Sequence, residues 1–212
     1  MRTDELVATL ARGSAPVVRR RWWQLQLPSA ALGLLVAVAA VWLGLGINPQ
    51  LSLALEQWTF GLKLGFSLTL GAVSFVWWLR LGQPGATAGA APTLTGGLFA
   101  LVLALGAIVL LSAEGQRLNL LLGTSWLMCP WLIAMLSLPT LALGLLVMRR
   151  MAPTRLRLSG AVTGLLAGAI GMGAYVWHCP ELQAPFIAVW YSLGALVPTM
   201  IGAVLGPRVL RW

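Results

Sequence analysis

Six apolar runs of membrane length, separated by short breaks, leave this chain few ways to fold. They cover about residues 27–46, 60–79, 94–113, 126–148, 158–177 and 185–206. A hydrocarbon core of roughly 30 Å is crossed by about 20 apolar residues at 1.5 Å rise each. Within it, only helices and closed barrels satisfy their own backbone. Asn48-Pro49, Gln83-Pro84-Gly85, Glu114-Gly115, Ala152-Pro153 and Cys179-Pro180 punctuate the runs with turn chemistry. Breaks that short make consecutive helices antiparallel neighbours. Pro130 and Pro139 fall within the fourth run, where a kink is tolerated. The expected fold is therefore all-α, a polytopic bundle of six transmembrane helices. Composition agrees, because only 9% of the 212 residues are charged and 59% are hydrophobic. A water-facing surface needs about a quarter charged, so the bulk of this chain must face lipid.

The charges that exist are unevenly placed. If the N-terminus lies in the cytoplasm, the cytoplasmic segments hold Arg2, Arg12, Arg19, Arg20, Arg21, Arg80, Arg149, Arg150, Arg155, Arg157, Arg208 and Arg211. Only Lys63 and Arg117 fall on or near the other side. The positive-inside rule then puts both termini in the cytoplasm. The net charge of +9 is explained by topology and by attraction to anionic lipid, and needs no nucleic-acid partner. Residues 1–26 carry five arginines, and no small-residue cleavage site follows the first run. That run is thus expected to stay as a span and not to be removed as a signal peptide.

Chemistry gathers opposite the arginines. Cys129 lies near the start of the fourth run and Cys179 ends the fifth, next to His178, the only histidine. Antiparallel neighbours would put both thiols at similar depth. Thiolate and imidazole suit soft or borderline ions such as copper, zinc or cadmium; Met128 could add a thioether, and Glu181 or Glu114 a carboxylate. The same placement suits a disulfide in an oxidising compartment, or two buried thiols acting as small hydrophobes. The residues alone leave all three open. Lys63, one turn into the second run, is a candidate intramembrane polar site, although its stem could also snorkel to the surface. Glu56 could meet it only if helix reaches that far back.

Two further features bear on function. Gly160, Gly164 and Gly168 recur every fourth residue, as do Gly61/Gly65 and Gly202/Gly206, a spacing that lets helix backbones approach. It suits packing within one bundle or, alternatively, a homo-oligomer. The N-terminal arm reads as a short helix, with Thr3 as cap, Asp4 and Glu5 in the first turn, and Leu6, Val7 and Leu10 as an apolar stripe. Such a stripe can order against a partner's groove. Enzyme chemistry finds little support, since Asp4 is the only aspartate and no phosphate loop occurs.

Several long strings then carry a resemblance. They are Thr3-Asp4-Glu5-Leu6, Gly123-Thr124-Ser125-Trp126 leading to Cys129, Leu136-Ser137-Leu138-Pro139 and Arg149-Arg150-Met151-Ala152-Pro153-Thr154. His178-Cys179-Pro180-Glu181, Trp190-Tyr191-Ser192-Leu193-Gly194 and the closing Leu205-Gly206-Pro207-Arg208-Val209-Leu210-Arg211-Trp212 complete them. In these strings the chain resembles the NrsF family of bacterial inner-membrane anti-sigma factors. The resemblance implies two regions. Residues 1–26 would be a cytoplasmic arm that holds a sigma factor of the extracytoplasmic-function type, through Thr3, Asp4, Glu5, Leu6, Val7 and Leu10. Residues 27–212 would be a six-helix sensor in which Cys129 and Cys179 respond to heavy metal or oxidation, with His178 and Glu181 as expected further ligands. Release of the sigma factor would turn on stress genes. The competing expectation is a thiol-dependent membrane redox enzyme or metal carrier, although a single thiol pair is fewer than such an enzyme usually uses.

Overall fold

In a computed structural model, the described residues are Thr3, Glu5 and residues 23–83, 87–113 and 115–211. Among them every regular element is a helix. Six helices are long and apolar enough to cross a membrane. We label the helices α1 (Trp23–Ala40), α2 (Leu51–Leu55), α3 (Trp58–Leu81), α4 (Ala91–Ser112), α5 (Arg117–Leu122), α6 (Met128–Arg149), α7 (Leu156–Tyr175) and α8 (Ala184–Val209). The six long ones fall where the apolar runs predict, with ends displaced by a few residues. The two short helices, α2 and α5, were not expected. Both are too short to register as apolar runs, and both lie at the end opposite the arginines. Wide π turns at Val41–Leu45, extending α1, and at Ile187–Tyr191, within α8, were also not expected.

The described arginines Arg80, Arg149, Arg150, Arg155, Arg157, Arg208 and Arg211 lie at one end of the bundle. We call this the arginine end, and the opposite one, which carries Lys63, Cys129 and Cys179, the thiol end. Arg117 is the exception; from α5 its guanidinium donates to the Leu111 and Ala113 carbonyls that finish α4.

Helix α7 is the hub, the most buried of the six, and α4 is the least buried. The reason is in their side chains. Gly160, Gly164 and Gly168 present bare backbone to α8, so a Cβ at Gly160 would strike the Gly202 carbonyl and one at Gly164 the Pro198 carbonyl. A Cβ at Gly168 would stand 2.8 Å from Ala195 Cα. Gly202 and Gly206 return the contact against Gly160 and Leu156. On another face, Gly171 lets α6 approach, with the Ile133 carbonyl 2.7 Å from where its Cβ would be. The expected glycine spacing is therefore packing within one chain at five positions. Gly61 and Gly65 differ: nothing lies within 4 Å of a Cβ at either.

Polar atoms inside the bundle are tied across helices. Trp78 Nε1 donates to Thr163 Oγ1 at 2.9 Å, and that hydroxyl donates to the Ser159 carbonyl at 2.7 Å. Near the arginine end, Gln26 Nε2 donates to the Trp78 carbonyl at 3.1 Å. In lipid such groups find no water, so each bond also removes a desolvation penalty.

Candidate functional site

The thiol end is built by three connections. Asn48 N–H, after α1, donates to the Trp177 carbonyl at 3.0 Å. Trp190 Nε1, on α8, donates to the Leu121 carbonyl of α5 at 2.7 Å, and the Trp126 and Trp190 rings pack 5.4 Å apart. Gly123 ends α5 with φ +55°, a backbone that side chains rarely adopt. A Cβ there would also meet the Glu181 carboxylate at 2.6 Å. Glycine at 123 thus lets the chain turn sharply and receive that carboxylate.

Inside this framework, Cys129 on the first turn of α6 and Cys179 in the α7–α8 loop face one another. They are 0% and 2% exposed. Both are free thiols, close enough for each to act on the other electrostatically. Fifty residues apart in sequence, they meet because α6 and α7 are antiparallel. Tyr191 of α8 lies beside the Cys179 sulfur, and Tyr175 of α7 packs on both Tyr191 (6.1 Å between ring centroids) and His178 (5.6 Å).

Lys63 does not snorkel. It is wholly buried, and its Nζ donates to the Cys179 carbonyl at 3.0 Å and the Glu181 carbonyl at 2.7 Å. It also stands 5.4 Å from the centroid of the Tyr191 ring. Glu56 is no partner for it, lying exposed in the turn before α3. The hydrogen bond from Cys129 lowers the pKa of the Cys179 thiol, and the Lys63 charge adds to this against the opposing effect of burial.

The remaining expected site residues point elsewhere. His178 Nδ1 is 2.9 Å from the Gly46 carbonyl; a carbonyl only accepts, so this nitrogen carries the proton. The Glu181 carboxylate accepts from Thr124 N–H at 2.7 Å, Thr124 Oγ1 at 2.6 Å and Ser125 Oγ at 3.5 Å. The four-residue cluster expected from sequence is thus two sulfurs with an ammonium, while the imidazole and carboxylate act as struts. No group of three His, Cys, Asp or Glu side chains able to hold a metal forms among the described residues. Two adjacent sulfurs fit a disulfide or a two-coordinate soft ion. They do not fit a structural zinc, which takes four ligands. Lys63 as the partner of Cys179 and Tyr191 as its neighbour were not read from sequence as members of the site. Only the burial of a cation could have signalled the first.

In the arm, Thr3 and Glu5 have helical backbone and are exposed. Asp4, Leu6, Val7 and Leu10 lie outside the described residues, as does Glu114.

Comparison with known proteins covers the whole chain. Residues 10–212 match the family described as NrsF, negative regulator of sigma F. A protein of Azospira oryzae named "Probable anti-sigma-F factor NrsF" is 42% identical over 217 residues, covering all of both chains. The "Anti-sigma-F factor NrsF" of Caulobacter vibrioides is 36% identical over 218 residues, again covering all of both. No solved structure matches.

Proposed function

The chain belongs to the NrsF family, negative regulators of sigma F, and from that premise we propose that it is an inner-membrane anti-sigma factor switched by its thiol pair. In this reading the arm at residues 1–26 holds a sigma factor of the extracytoplasmic-function type at the cytoplasmic face. Thr3, Asp4, Glu5, Leu6, Val7 and Leu10 supply its caps and apolar stripe. The arginine end faces the cytoplasm and the thiol end the periplasm, as the positive-inside rule favours. The observation that carries the reading is the pairing of Cys129 with Cys179, buried, at the end of the bundle away from the arginines.

That pair can change state in two ways. With a peroxide, the Cys179 thiolate attacks oxygen, displaces hydroxide and becomes a sulfenic acid. The Cys129 thiol then attacks that sulfur, water leaves, and one S–S bond stands for two electrons passed to the peroxide. A soft ion would instead be held by Cys129 and Cys179 and would displace the thiol proton; His178 and Glu181 would have to leave their present partners to join it. Either change shifts the α7–α8 loop against the start of α6. Helices α6, α7 and α8 touch backbone to backbone, so a shift at one end is carried along rigid elements to the other.

The test is a sigma-dependent reporter in cells carrying Cys129→Ser or Cys179→Ser, with and without cadmium or peroxide. Each variant is expected to keep the reporter silent under both inducers. Full induction in both variants overturns the sensor role. Capture of the sigma factor by the intact chain, lost on deleting residues 1–20, tests the arm separately.

A further inference from the structure

The arginine end carries a feature that the thiol pair does not use. Along α3, Ala72, Val76 and Arg80 recur every fourth residue and so share one face. Between that face and the start of α4 runs a groove of about 250 Å³, walled by Ala72, Val73 and Val76 on one side and Leu94 on the other. Apart from Arg80 its lining is apolar. The groove is open sideways, since Val76 is 47% and Leu94 54% exposed. In a bilayer that opening faces acyl chains.

Arg80 closes the groove at its outer end, in the last turn of α3. Two things set it apart from an ordinary arginine at the end of a span. Gly89, just before α4, has φ +58°, and a Cβ there would strike Arg80 Nη1 and stand 3.3 Å from Cζ. Glycine at 89 thus lets the backbone turn and lets the guanidinium lie against it. That guanidinium also has no hydrogen bond or ion pair among the described residues. The carboxylates of Glu56 and Glu181 are at the other end of the bundle. Ala90 and Ala91, where α4 begins, share the rim with Arg80, and a helix start adds partial positive charge. A guanidinium in such a setting matches phosphate, which it can bind through two parallel N–H donors.

The occupant must therefore be an anion with an apolar tail. One turn of helix, about 10 Å wide and 5.4 Å long, fills roughly 400 Å³, more than the groove holds. An extended hydrocarbon chain is thinner. The eight residues from Arg80 back to Ala72 give it about 12 Å of wall. We propose that the α3–α4 groove is a binding site for one anionic phospholipid, with the phosphate on Arg80 and an acyl chain along Ala72, Val73, Val76 and Leu94. Basic pockets between transmembrane helices hold lipid headgroups in this way. The lipid ties α4, the least buried of the long helices, to α3. The site is independent of the thiol pair and of what switches it.

The test is native mass spectrometry of the full chain in detergent, titrated with phosphatidylglycerol or with phosphatidylcholine of the same acyl chains. The natural chain should bind a first phosphatidylglycerol at least tenfold more tightly than phosphatidylcholine, the worth of one charge-assisted contact. Arg80→Gln should abolish that preference. Gly89→Ala, which keeps every charge but displaces the guanidinium, should reduce it. Arg150→Gln removes a charge from the same end and should leave most of it. Val76→Trp, which fills the groove, should weaken both lipids in parallel. Inorganic phosphate at millimolar concentration should displace neither.

Equal binding of the two lipids by the natural chain overturns the proposal, and this arm requires no variant to fold. Equal losses in Arg80→Gln and Arg150→Gln overturn it too, because the attraction would then be diffuse charge. Lipid binding unchanged in Val76→Trp means that no chain lies in the groove, and displacement by phosphate means a simple anion site. A dimer mass that Val76→Trp abolishes, with lipid binding unchanged, makes a second copy the occupant. Sigma-factor capture lost in Arg80→Gln, again with lipid binding unchanged, makes it that protein. Each of these results overturns the lipid site and leaves the thiol sensor untouched.

Discussion

The glycine seam between α7 and α8 and the thiol end of the same helices use opposite means of holding together. The seam is backbone on backbone: Gly160, Gly164 and Gly168 against Gly202, Gly206, Pro198 and Ala195. It contains no group that titrates or reacts, and its strength comes from close van der Waals contact that lipid cannot replace. The thiol end is held by polar atoms whose partners could change: an ammonium, two thiols, a carboxylate and an imidazole gathered in and around the α7–α8 loop. A seam of that kind stays put under any chemical condition the membrane meets. A cluster of that kind changes its bonds when one proton or one pair of electrons is moved. A sensor needs both, one region that responds and one that carries the response without absorbing it.

The sharpest way to break the comparison is to put a side chain in the seam. Gly164→Leu drives carbon into the Pro198 carbonyl and Thr199 Cα, both backbone atoms with no rotamer to yield. We expect a loss on the order of 3 kcal/mol, the upper end for overpacking, seen as a large fall in thermal stability in detergent and in the amount recovered from membranes. Gly61→Ala has the same spacing motif and nothing within 4 Å, so it should be indistinguishable from the natural chain. If the two behave alike, the seam is not what fixes α7 to α8.

A smaller effect is expected where polar atoms hold the thiol end. Glu181→Ala removes the acceptor shared by Thr124 N–H, Thr124 Oγ1 and Ser125 Oγ. These donors are largely open to water, so the cost is about 1 kcal/mol. The loop should nonetheless loosen, and Cys179 should react faster with N-ethylmaleimide by a similar factor at every pH. An unchanged rate would mean that the carboxylate does not hold the loop closed.

Much of this arrangement could be read from sequence, and the divide is physical. Helix number and order follow from run length and from the backbone's need for internal hydrogen bonds, properties of each segment alone. The depth shared by Cys129 and Cys179 follows from antiparallel order, again with no knowledge of side chains. What could not be read is direction. His178 and Glu181 flank the thiol loop, so proximity in sequence suggested one cluster; the loop instead turns each side chain to a partner far along the chain, Gly46 and Thr124. Lys63 shows the converse, since 116 residues separate it from the carbonyl it holds. Its alternatives, snorkelling outward or turning inward, differ by the carbonyls available on the α7–α8 loop, which no local pattern reveals. Gly61/Gly65 has the spacing of a seam without an opposing helix, because spacing states what a helix could pack against and not whether anything is there.

The smallest expected effect belongs to His178. Its ring donates from Nδ1 to the carbonyl of Gly46, where α1 has ended, and stacks near Tyr175. That contact joins the end of α1 to the thiol loop. His178→Phe keeps the ring and loses the hydrogen bond, so it should cost about 1 kcal/mol or less and leave the peroxide response of the reporter intact. Peroxide and metal can then be told apart. A two-coordinate soft ion needs only Cys129 and Cys179, and cadmium induction should survive in His178→Phe with an unchanged dose dependence. Loss of cadmium induction with peroxide induction retained would mean that the ring leaves Gly46 to complete a metal site. The thiol end would then rearrange on binding, and its struts would belong to the switch.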